Sequence, residues 1–371
     1  AGLAMATWAS RIPQVRDKLG LRPSELGLVL LAVAAGSLIS LQMSGPMVGR
    51  FGPRRVVTAM AVLFLVAITI VGIGYRIGVA PVVVGLGMVG FSAGAWDVAM
   101  NVHGAYIEQL LARSVMSRFH AGFSLGTVTG ALVGAAMVAA GVSVTVHVIM
   151  IGLTITCVVV WQTRACLYPP QHVADEHDDR PALGHFASWA EWRTVVIGVF
   201  VLAFAFAEGV GNDWIAVALI DGYGAPEAVG TLVFALFLSA MTLGRWFGPG
   251  LLDRYGRARV VRPMAVVGIA GVVLFVFAPA AWLAVVGAVM WGLGTSLGFP
   301  VGMSAGADEP AFAAGRVSVI STIGYCAFLA GPPLLGFLGD HSSVLDALLA
   351  VAVLLALAVT ISGIVEPETR L

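Results

Sequence analysis

The chain consists of long apolar runs separated by short polar stretches. A helix needs about 20 apolar residues to cross a bilayer core about 30 Å thick. The runs are continuously apolar and do not alternate with a period of two, so they predict membrane-spanning helices rather than barrel strands. Eleven runs lie at 26–48, 56–75, 80–103, 119–140, 143–163, 194–214, 228–248, 260–279, 281–304, 318–339 and 343–365.

Residues 1–10 are also apolar, but they are too few to cross a bilayer, and no initiator methionine precedes them. We therefore expect the sequence to begin inside a truncated first span, which would bring the number of spans to twelve. The fold class predicted from this pattern is an all-α membrane protein with twelve transmembrane helices.

Composition narrows the class further. Hydrophobic residues make up 59% of the chain and charged residues 11%, whereas a soluble domain has about 25% charged residues. This balance excludes a soluble enzyme, a disordered chain and a nucleic-acid binder. Lys+Arg and Asp+Glu each number 20, so no net charge would recruit an acidic partner. Three scattered cysteines predict neither a disulfide framework nor a metal site, and we expect no cofactor.

Basic residues set the predicted orientation. With a cytoplasmic N-terminus, fifteen of the 20 Lys and Arg residues fall on inner loops or helix ends. The positive-inside rule favours this arrangement, with both termini in the cytoplasm of a bacterial inner membrane. Arg245 is assigned here to the inner end of the eighth span. No Lys or Arg is expected within the apolar part of spans 2–12.

The longest polar stretch, 164–193, divides the chain in two. It contains three prolines and an acidic run at 175–179, which is typical of a solvated cytoplasmic linker. A metal site built from His172, His177 and His185 is the alternative. The predicted organisation is a six-helix bundle at 1–163, a linker at 164–193 and a second six-helix bundle at 194–371.

The two halves share a pattern of glycines. Gly52 and Gly256 follow the second and eighth spans and are 204 residues apart, and Gly90 and Gly94 fall on Gly294 and Gly298 at the same offset. Together with the central linker, these matches indicate parallel six-helix repeats.

The loops that follow spans 2 and 8 resemble the G-x-L-x-D-R-x-G-R-R signature of the major facilitator superfamily. In the first copy, Gly49 replaces the usual Asp. In the second copy, Pro249 replaces the leading Gly. The resemblance implies two pseudo-symmetric bundles that transport a solute by alternating access. A tight glycine turn with several arginines can latch onto acids or helix ends in one state and release them in another. The predicted cytoplasmic gate comprises Arg50, Gly52, Arg54, Glu108, Asp253, Arg254, Gly256 and Arg257.

Spans 4 and 5 resemble the fucose-permease branch of sugar/proton symporters and its uncharacterised bacterial relatives. Residues 94–101 read GAWDVAMN and 117–126 read SRFHAGFSLG. The branch has an acid with an Asn four residues on, then a Gln ahead of Ser-x-Gly. Asp97, Asn101 and Ser124 match, and His120 replaces the Gln. The resemblance makes Asn101 and Ser124 candidates for substrate binding.

Charged groups inside a span are costly, by about 2.5–3.5 kcal/mol on insertion scales, and therefore indicate function. Asp97 in the fourth span and Glu208 in the seventh are candidate proton-coupling residues, as is His120. The alternative is a protonated, hydrogen-bonded structural carboxyl group. Asn101 and Asn212 follow the two acids by four residues, so each shares a helix face with its acid.

Two residues at the start of the chain complete the substrate-binding candidates with Asn101, Ser124 and Asn212. Arg11 lies near the outer end of the first span, where it would either snorkel to headgroups or contact an anionic solute. Trp8 would stack on a sugar ring or an apolar ligand.

These features predict a secondary active transporter that couples proton entry to uptake of a small polar solute, such as a sugar, and acts as a monomer in a lipid bilayer without a nucleic-acid partner. Proton-driven efflux of a drug or metabolite is the first alternative, with Trp8, Phe234 and Phe237 as apolar pocket residues. Lipid or lysolipid translocation on the same scaffold and a non-transporting receptor are further alternatives. No enzyme motif is present.

Overall fold

The computed structural model describes residues 1–111, 116–164, 188–309 and 312–367. Within these ranges the chain forms helices and no strand, as the continuous apolar runs predict. The chain divides into two compact units, Ala1–Asp179 and Arg180–Leu371. Most of the predicted linker, including His172, His177 and His185, lies outside the described residues.

The N-terminal unit begins with two short helices that are followed by long ones. Short turns or single glycines join most neighbours. The helices are α1 (Gly2–Ala9), α2 (Ile12–Leu19), α3 (Pro23–Phe51), α4 (Pro53–Gly74), α5 (Val79–Leu111), α6 (Met116–Ala139) and α7 (Val144–Thr163).

The C-terminal unit repeats the series of long helices, and the apolar run at 281–304, which is the tenth span, is divided into two helices. The helices are α8 (Trp192–Tyr223), α9 (Glu227–Tyr255), α10 (Arg257–Phe277), α11 (Ala281–Thr295), α12 (Gly298–Gly306), α13 (Ala313–His341), α14 (Val344–Ala347) and α15 (Leu349–Ile361), followed by a 3-10 turn at Ser362–Val365.

The predicted spans are confirmed. Eleven helical segments of the described residues are long and apolar enough to cross a membrane, and each coincides with one of the eleven apolar runs.

The short helix α1 packs on α6, where Gly126 and Gly130 bring the two backbones together. A Cβ at Gly130 would lie 2.8 Å from the carbonyl oxygen of Leu3. These glycines of α6 therefore form a packing surface for α1.

Gly52 and Gly256 make the same turn in the two units. Gly52 separates α3 from α4 with φ 76° and ψ 154°, and Gly256 separates α9 from α10 with φ 85° and ψ 160°. This region of backbone space is open essentially to glycine alone. The glycines predicted to be equivalent from their spacing therefore have equivalent conformations, which explains why both loop signatures need a glycine there.

Replacing Gly52 or Gly256 with alanine is expected to destabilise the protein, because an L side chain rarely adopts these angles. The cost is about 1–3 kcal/mol, and the apparent melting temperature in detergent should fall by several degrees. Gly45→Ala is the matched control, since Gly45 lies inside α3 with no atom within 4 Å of its Cβ position. Alanine should be neutral or slightly stabilising there. Equal melting temperatures for the three variants would contradict the prediction.

The tenth span is broken in its middle, whereas the sequence predicts one continuous helix over 281–304. Helix α11 ends at Thr295 and α12 begins at Gly298. Pro300 explains the break, because proline has no N–H to donate to the carbonyl group four residues earlier, at Ser296. The Ser296 carbonyl is thus available to another donor at the depth of the bilayer interior.

Candidate functional site: charged groups in the membrane-spanning helices

In the N-terminal unit, Asp97 lies deep in α5. It is 18 residues past Val79, or about 27 Å along the helix at 1.5 Å per residue. Asn101 Nδ2 donates a 3.2 Å hydrogen bond to Asp97 Oδ2, so the two side chains meet on one helix face as their spacing predicts. Asp97 is half-buried.

The other residues of the resemblance in spans 4 and 5 give a less complete site. Ser124 is half-buried in α6, and its carbonyl oxygen accepts a hydrogen bond from the Thr127 hydroxyl. His120 belongs to α6, but its side chain lies outside the described residues. Their predicted roles in proton coupling and substrate binding therefore remain predictions.

In the C-terminal unit, Glu208 forms an ion pair with Arg245. Arg245 Nη2 donates to Glu208 Oε2 over 2.6 Å. Glu208 is 16 residues past Trp192 in α8, and Arg245 is 18 residues past Glu227 in α9; these separations correspond to about 24 and 27 Å of helix. The pair therefore lies far from the helix ends. The Arg245 and Glu208 side chains keep 29% and 21% of their exposure, so they border open space.

The position of Arg245 corrects two expectations. Arg245 is not at the inner end of the eighth span, because α9 continues for ten residues beyond it to Tyr255. The expectation that spans 2–12 hold no internal Arg is also wrong. The apolar run ends near residue 248. Helix α9 continues through the loop signature to Tyr255.

A third group, the main-chain carbonyl of Ser296, completes this site. Arg245 Nε donates to Ser296 O over 3.3 Å. The acceptor is the carbonyl that Pro300 leaves free, at the C-terminal end of α11, where the helix dipole favours a cation. Gly244 permits the approach, since any Cβ there would collide with the Ser296 side chain. Broken helices whose free main-chain groups hold charges are typical of transporter binding sites.

Asn212 lies one turn beyond Glu208 on the same face of α8. Its Oδ1 atom is buried, and no described residue donates a hydrogen bond to it. A buried carbonyl oxygen without a donor costs roughly 1–3 kcal/mol, so this atom could accept a hydrogen bond from a ligand.

Arg11 and Trp8, which are predicted to contact the substrate, are both buried. Arg11 is 2% exposed, and its Nε donates a 2.8 Å hydrogen bond to His147 Nδ1 on α7. Burial excludes snorkelling to headgroups in this structure. Trp8 is 6% exposed and belongs to the packed interior. His147, which has no partner evident in the sequence, is the acceptor that sequence reasoning missed.

The loop signature of the C-terminal unit is held by a network of charges. Arg257 Nη1 pairs with Asp308 over 2.8 Å and Arg193 Nη2 pairs with the same carboxylate over 3.5 Å. Arg193 also donates to the Glu366 carbonyl oxygen, while Glu366 Oε1 accepts from the Ala258 N–H in the first turn of α10. The chain segment after α15 is thus tied to the start of α8 and α10.

Other predicted gate residues make fewer contacts. Among the described residues Asp253 and Arg254 form no ion pair; both are exposed, and the Arg254 guanidinium lies 5.2 Å from the Tyr255 ring centre. Arg50 lies similarly over Phe51, at 5.5 Å, and Arg54 is half-buried. The Glu108 side chain, predicted to pair with Arg50 or Arg54, lies outside the described residues.

A second charged pair lies at the start of α8. Arg316 donates to both carboxylate oxygens of Glu191, at 2.7 and 2.6 Å, and Thr194 donates to the same carboxylate. The hydrogen bonds from Arg316 hold the pKa of Glu191 below its usual value.

Sequence reasoning missed Glu191, Asp308, Glu366 and Arg245. Only Arg245 carries a sequence signal, namely an arginine within a helix that extends past the apolar run.

The helices and their buried charges define the class of protein, a multi-pass membrane protein. Comparison with known proteins defines the family. The model of the Major Facilitator Superfamily matches residues 1–327, so the chain belongs to this superfamily, whose members are transporters. This confirms the family resemblance of the loop signatures.

Relatives and solved structures agree with this membership. An uncharacterised MFS-type transporter of Yersinia pestis is 29% identical over 374 residues, covering 100% of this chain and 93% of that one. The solved structure of a mutant of the nucleoside transporter NupG has a TM-score of 0.80 at 14% identity. The match covers 98% of this chain and 97% of the NupG chain. The solved structure of a variant of the E. coli fucose:proton symporter FucP has a TM-score of 0.62 at 14% identity. The match covers 99% of this chain and 98% of the FucP chain. At these identities the two structures show a shared fold.

Proposed function

We propose that this transporter couples proton entry to the uptake of a small polar solute. The observation that carries the proposal is that each unit holds a carboxylate deep in a membrane-crossing helix with an asparagine one turn further on the same face. Asp97 with Asn101 and Glu208 with Asn212 are the two sets. Ionisable residues at such depth are expensive and mark ion and substrate pathways.

Protonation of such a carboxylate removes a buried charge and changes its hydrogen-bonding capacity, so it can shift the balance between two conformations. Asp97 and Glu208 are the proposed proton sites. Asn101, Ser124 and Asn212 offer polar groups to a solute. Two proteins of similar fold support this choice of solute, since their names describe a nucleoside transporter and a fucose:proton symporter.

The proposed setting is a bacterial inner membrane with both termini in the cytoplasm, where the transporter acts as a monomer. The loop signatures then lie on the cytoplasmic side, because they follow spans that run inwards. Arg257 and Arg193, together with their shared partner Asp308, would make and break contacts there as the transporter changes state.

The efflux alternative receives less support. Phe234 and Phe237 are 2% and 0% exposed, and Phe237 packs edge-to-face on Trp291 with ring centres 5.6 Å apart. These rings belong to the core of the C-terminal unit and contribute no surface to an apolar pocket. Trp8, the third apolar residue named for the efflux alternative, is buried as well, so none of the three side chains supports it.

Proton flux in proteoliposomes with an internal pH dye tests the proposal. Wild type, Asp97→Asn and Glu208→Gln would be compared across a panel of sugars, sugar acids and small metabolites. We expect solute-dependent acidification of the lumen in wild type and its loss in at least one variant. Proton exit on addition of a solute would indicate antiport instead. Coupled flux that neither substitution changes would exclude both carboxylates as proton sites.

A further inference from the structure

The ion pair in α8 and α9 leaves two polar atoms free. Arg245 uses Nη2 for Glu208 and Nε for the Ser296 carbonyl. Among the described residues no acceptor contacts Arg245 Nη1, and no donor contacts Glu208 Oε1. The Arg245 side chain is 29% exposed, so its free Nη1 atom can donate to a further ligand.

The two partners of Arg245 differ in how they respond to a proton. The Ser296 carbonyl does not titrate, so it holds the guanidinium in place at any pH. Glu208 is a carboxyl group that can take up a proton, and a protonated Glu208 no longer neutralises Arg245. An arginine at this depth then requires another anion, because an uncompensated charge in the membrane is costly. The two terminal nitrogens form a fork that matches a carboxylate, with two parallel hydrogen bonds.

Few other titratable residues lie on the described helices that pack against α8. Helices α11, α12 and α15 contain no titratable residue, although all three pack against α8. In α9 the other charged residues lie in the first or last two turns. The remaining titratable residues on the helices around Glu208 are Glu227, Asp253, Arg254 and Tyr255 of α9, Arg316, Tyr325, Cys326, Asp340 and His341 of α13, Asp346 of α14, and Arg193, Asp213, Asp221 and Tyr223 of α8.

Asn212 adds a second recognition element. Its buried Oδ1 atom lacks a donor among the described residues, and residues four apart on a helix have Cβ atoms about 5–6 Å apart. A donor such as a hydroxyl group would satisfy this oxygen. A ligand that binds Arg245 through a carboxylate could place a neighbouring hydroxyl at Asn212.

We propose that the solute is a small hydroxy-carboxylate, whose carboxylate replaces Glu208 on Arg245 when Glu208 takes up the coupling proton. The inference deepens the proposed proton-coupled uptake and rests on it. One proton and one carboxylate enter the site together, so the charge at Arg245 is balanced before and after. Neither can bind well alone: the anion competes with ionised Glu208, and protonated Glu208 leaves Arg245 without a counter-ion.

The test uses matched pairs of solutes in proteoliposomes with an internal pH dye. Each pair consists of a sugar or polyol and its carboxylate counterpart, such as galactose with galactonate and glycerol with glycerate. We expect the carboxylate to drive proton entry at least tenfold faster than its neutral partner. Arg245→Lys keeps the charge but loses the fork and should reduce this flux by at least tenfold. Arg22 forms an exposed ion pair with Glu25. Arg22→Gln is therefore the matched control and should behave as wild type.

Binding measured by isothermal titration of the detergent-solubilised protein provides an independent readout. While Glu208 is ionised, wild-type affinity for the carboxylate should fall about tenfold for each pH unit, since one proton binds with each anion. Glu208→Gln should bind the carboxylate with no such slope and should not couple it to proton entry. A slope that persists in Glu208→Gln would overturn the assignment of the proton to Glu208.

The outcomes separate the inference from the proposed function. Proton entry driven by carboxylates and not by their neutral partners would support both. Proton entry driven by neutral members alone would keep proton-coupled uptake and overturn the carboxylate class. If neither member of any pair moves protons, proton-coupled uptake is contradicted and the inference falls with it.

Discussion

Replacing Arg245 with methionine is expected to lower the stability of the protein by about 2 kcal/mol and to abolish transport. The substitution leaves Glu208 without its cation and the Ser296 carbonyl without its donor, deep between helices. Removing one partner of a fully buried ion pair costs about 3–5 kcal/mol. The cost should be smaller here, because the Arg245 and Glu208 side chains retain 29% and 21% exposure. The apparent melting temperature in detergent and the rate of solute uptake would measure the two effects.

A double variant distinguishes charge from packing. Glu208→Gln combined with Arg245→Met removes both charges, so it should recover most of the lost stability while transport stays absent. Arg22→Met is the matched control, because an exposed pair of this kind contributes about 1 kcal/mol or less and Arg22 has 71% side-chain exposure. If the single and double variants melt at the same temperature, the loss reflects helix packing rather than an unpaired carboxylate.

The helices were predictable because lipid imposes a simple rule. Every backbone group must be satisfied within the span, so a continuously apolar run of about 20 residues has only one stable form. The repeat was predictable through Gly52 and Gly256, since both need a conformation that few other residues adopt. The break at Ser296 carried a signal in Pro300, but a single proline within a span predicts a kink as readily as an interruption.

The charged site was harder to predict, because its partners come from different helices. The spacing of Asp97 and Asn101 predicts their contact, since both residues belong to one helix face. Arg245 and Glu208 are 37 residues apart, and their contact depends on how α8 and α9 align in depth. That alignment follows from the full length of α9, which extends past its apolar run. The partners of Arg257 are further still, at positions 304, 308 and 365.

The break in the tenth span links local sequence to the proposed chemistry. Pro300 frees one carbonyl, Gly244 lets α9 approach it, and Arg245 is thereby held by a group that no pH change can remove. Glu208 is the partner of Arg245 whose charge changes when it takes up a proton. This division between a permanent and a titratable acceptor is what would allow a proton to control whether the cation is available to a solute.

Replacing Asp308 with asparagine is expected to destabilise the end of the C-terminal unit that carries the loop signature by about 2 kcal/mol. Asp308 is the shared counter-ion of Arg257 and Arg193, which are 21% and 16% exposed at their side chains. Hydrogen bonds to charged groups contribute about 1.5–3 kcal/mol each, and asparagine keeps the shape but not the charge. The same arginines hold the carbonyl oxygens of Val365 and Glu366. Faster amide hydrogen exchange at residues 362–367 and a lower melting temperature should follow.

Asp253→Asn is the matched control for this prediction. Asp253 is the acid of the loop signature itself, yet it is exposed and has no ion pair among the described residues, so its replacement should leave the melting temperature and the exchange at 362–367 unchanged. Equal effects of the two substitutions would mean that general negative charge, not the bridge to Arg257 and Arg193, stabilises this end. A selective effect of Asp308→Asn would show that the arginine of the signature acts through an acid outside it, at the end of the broken tenth span.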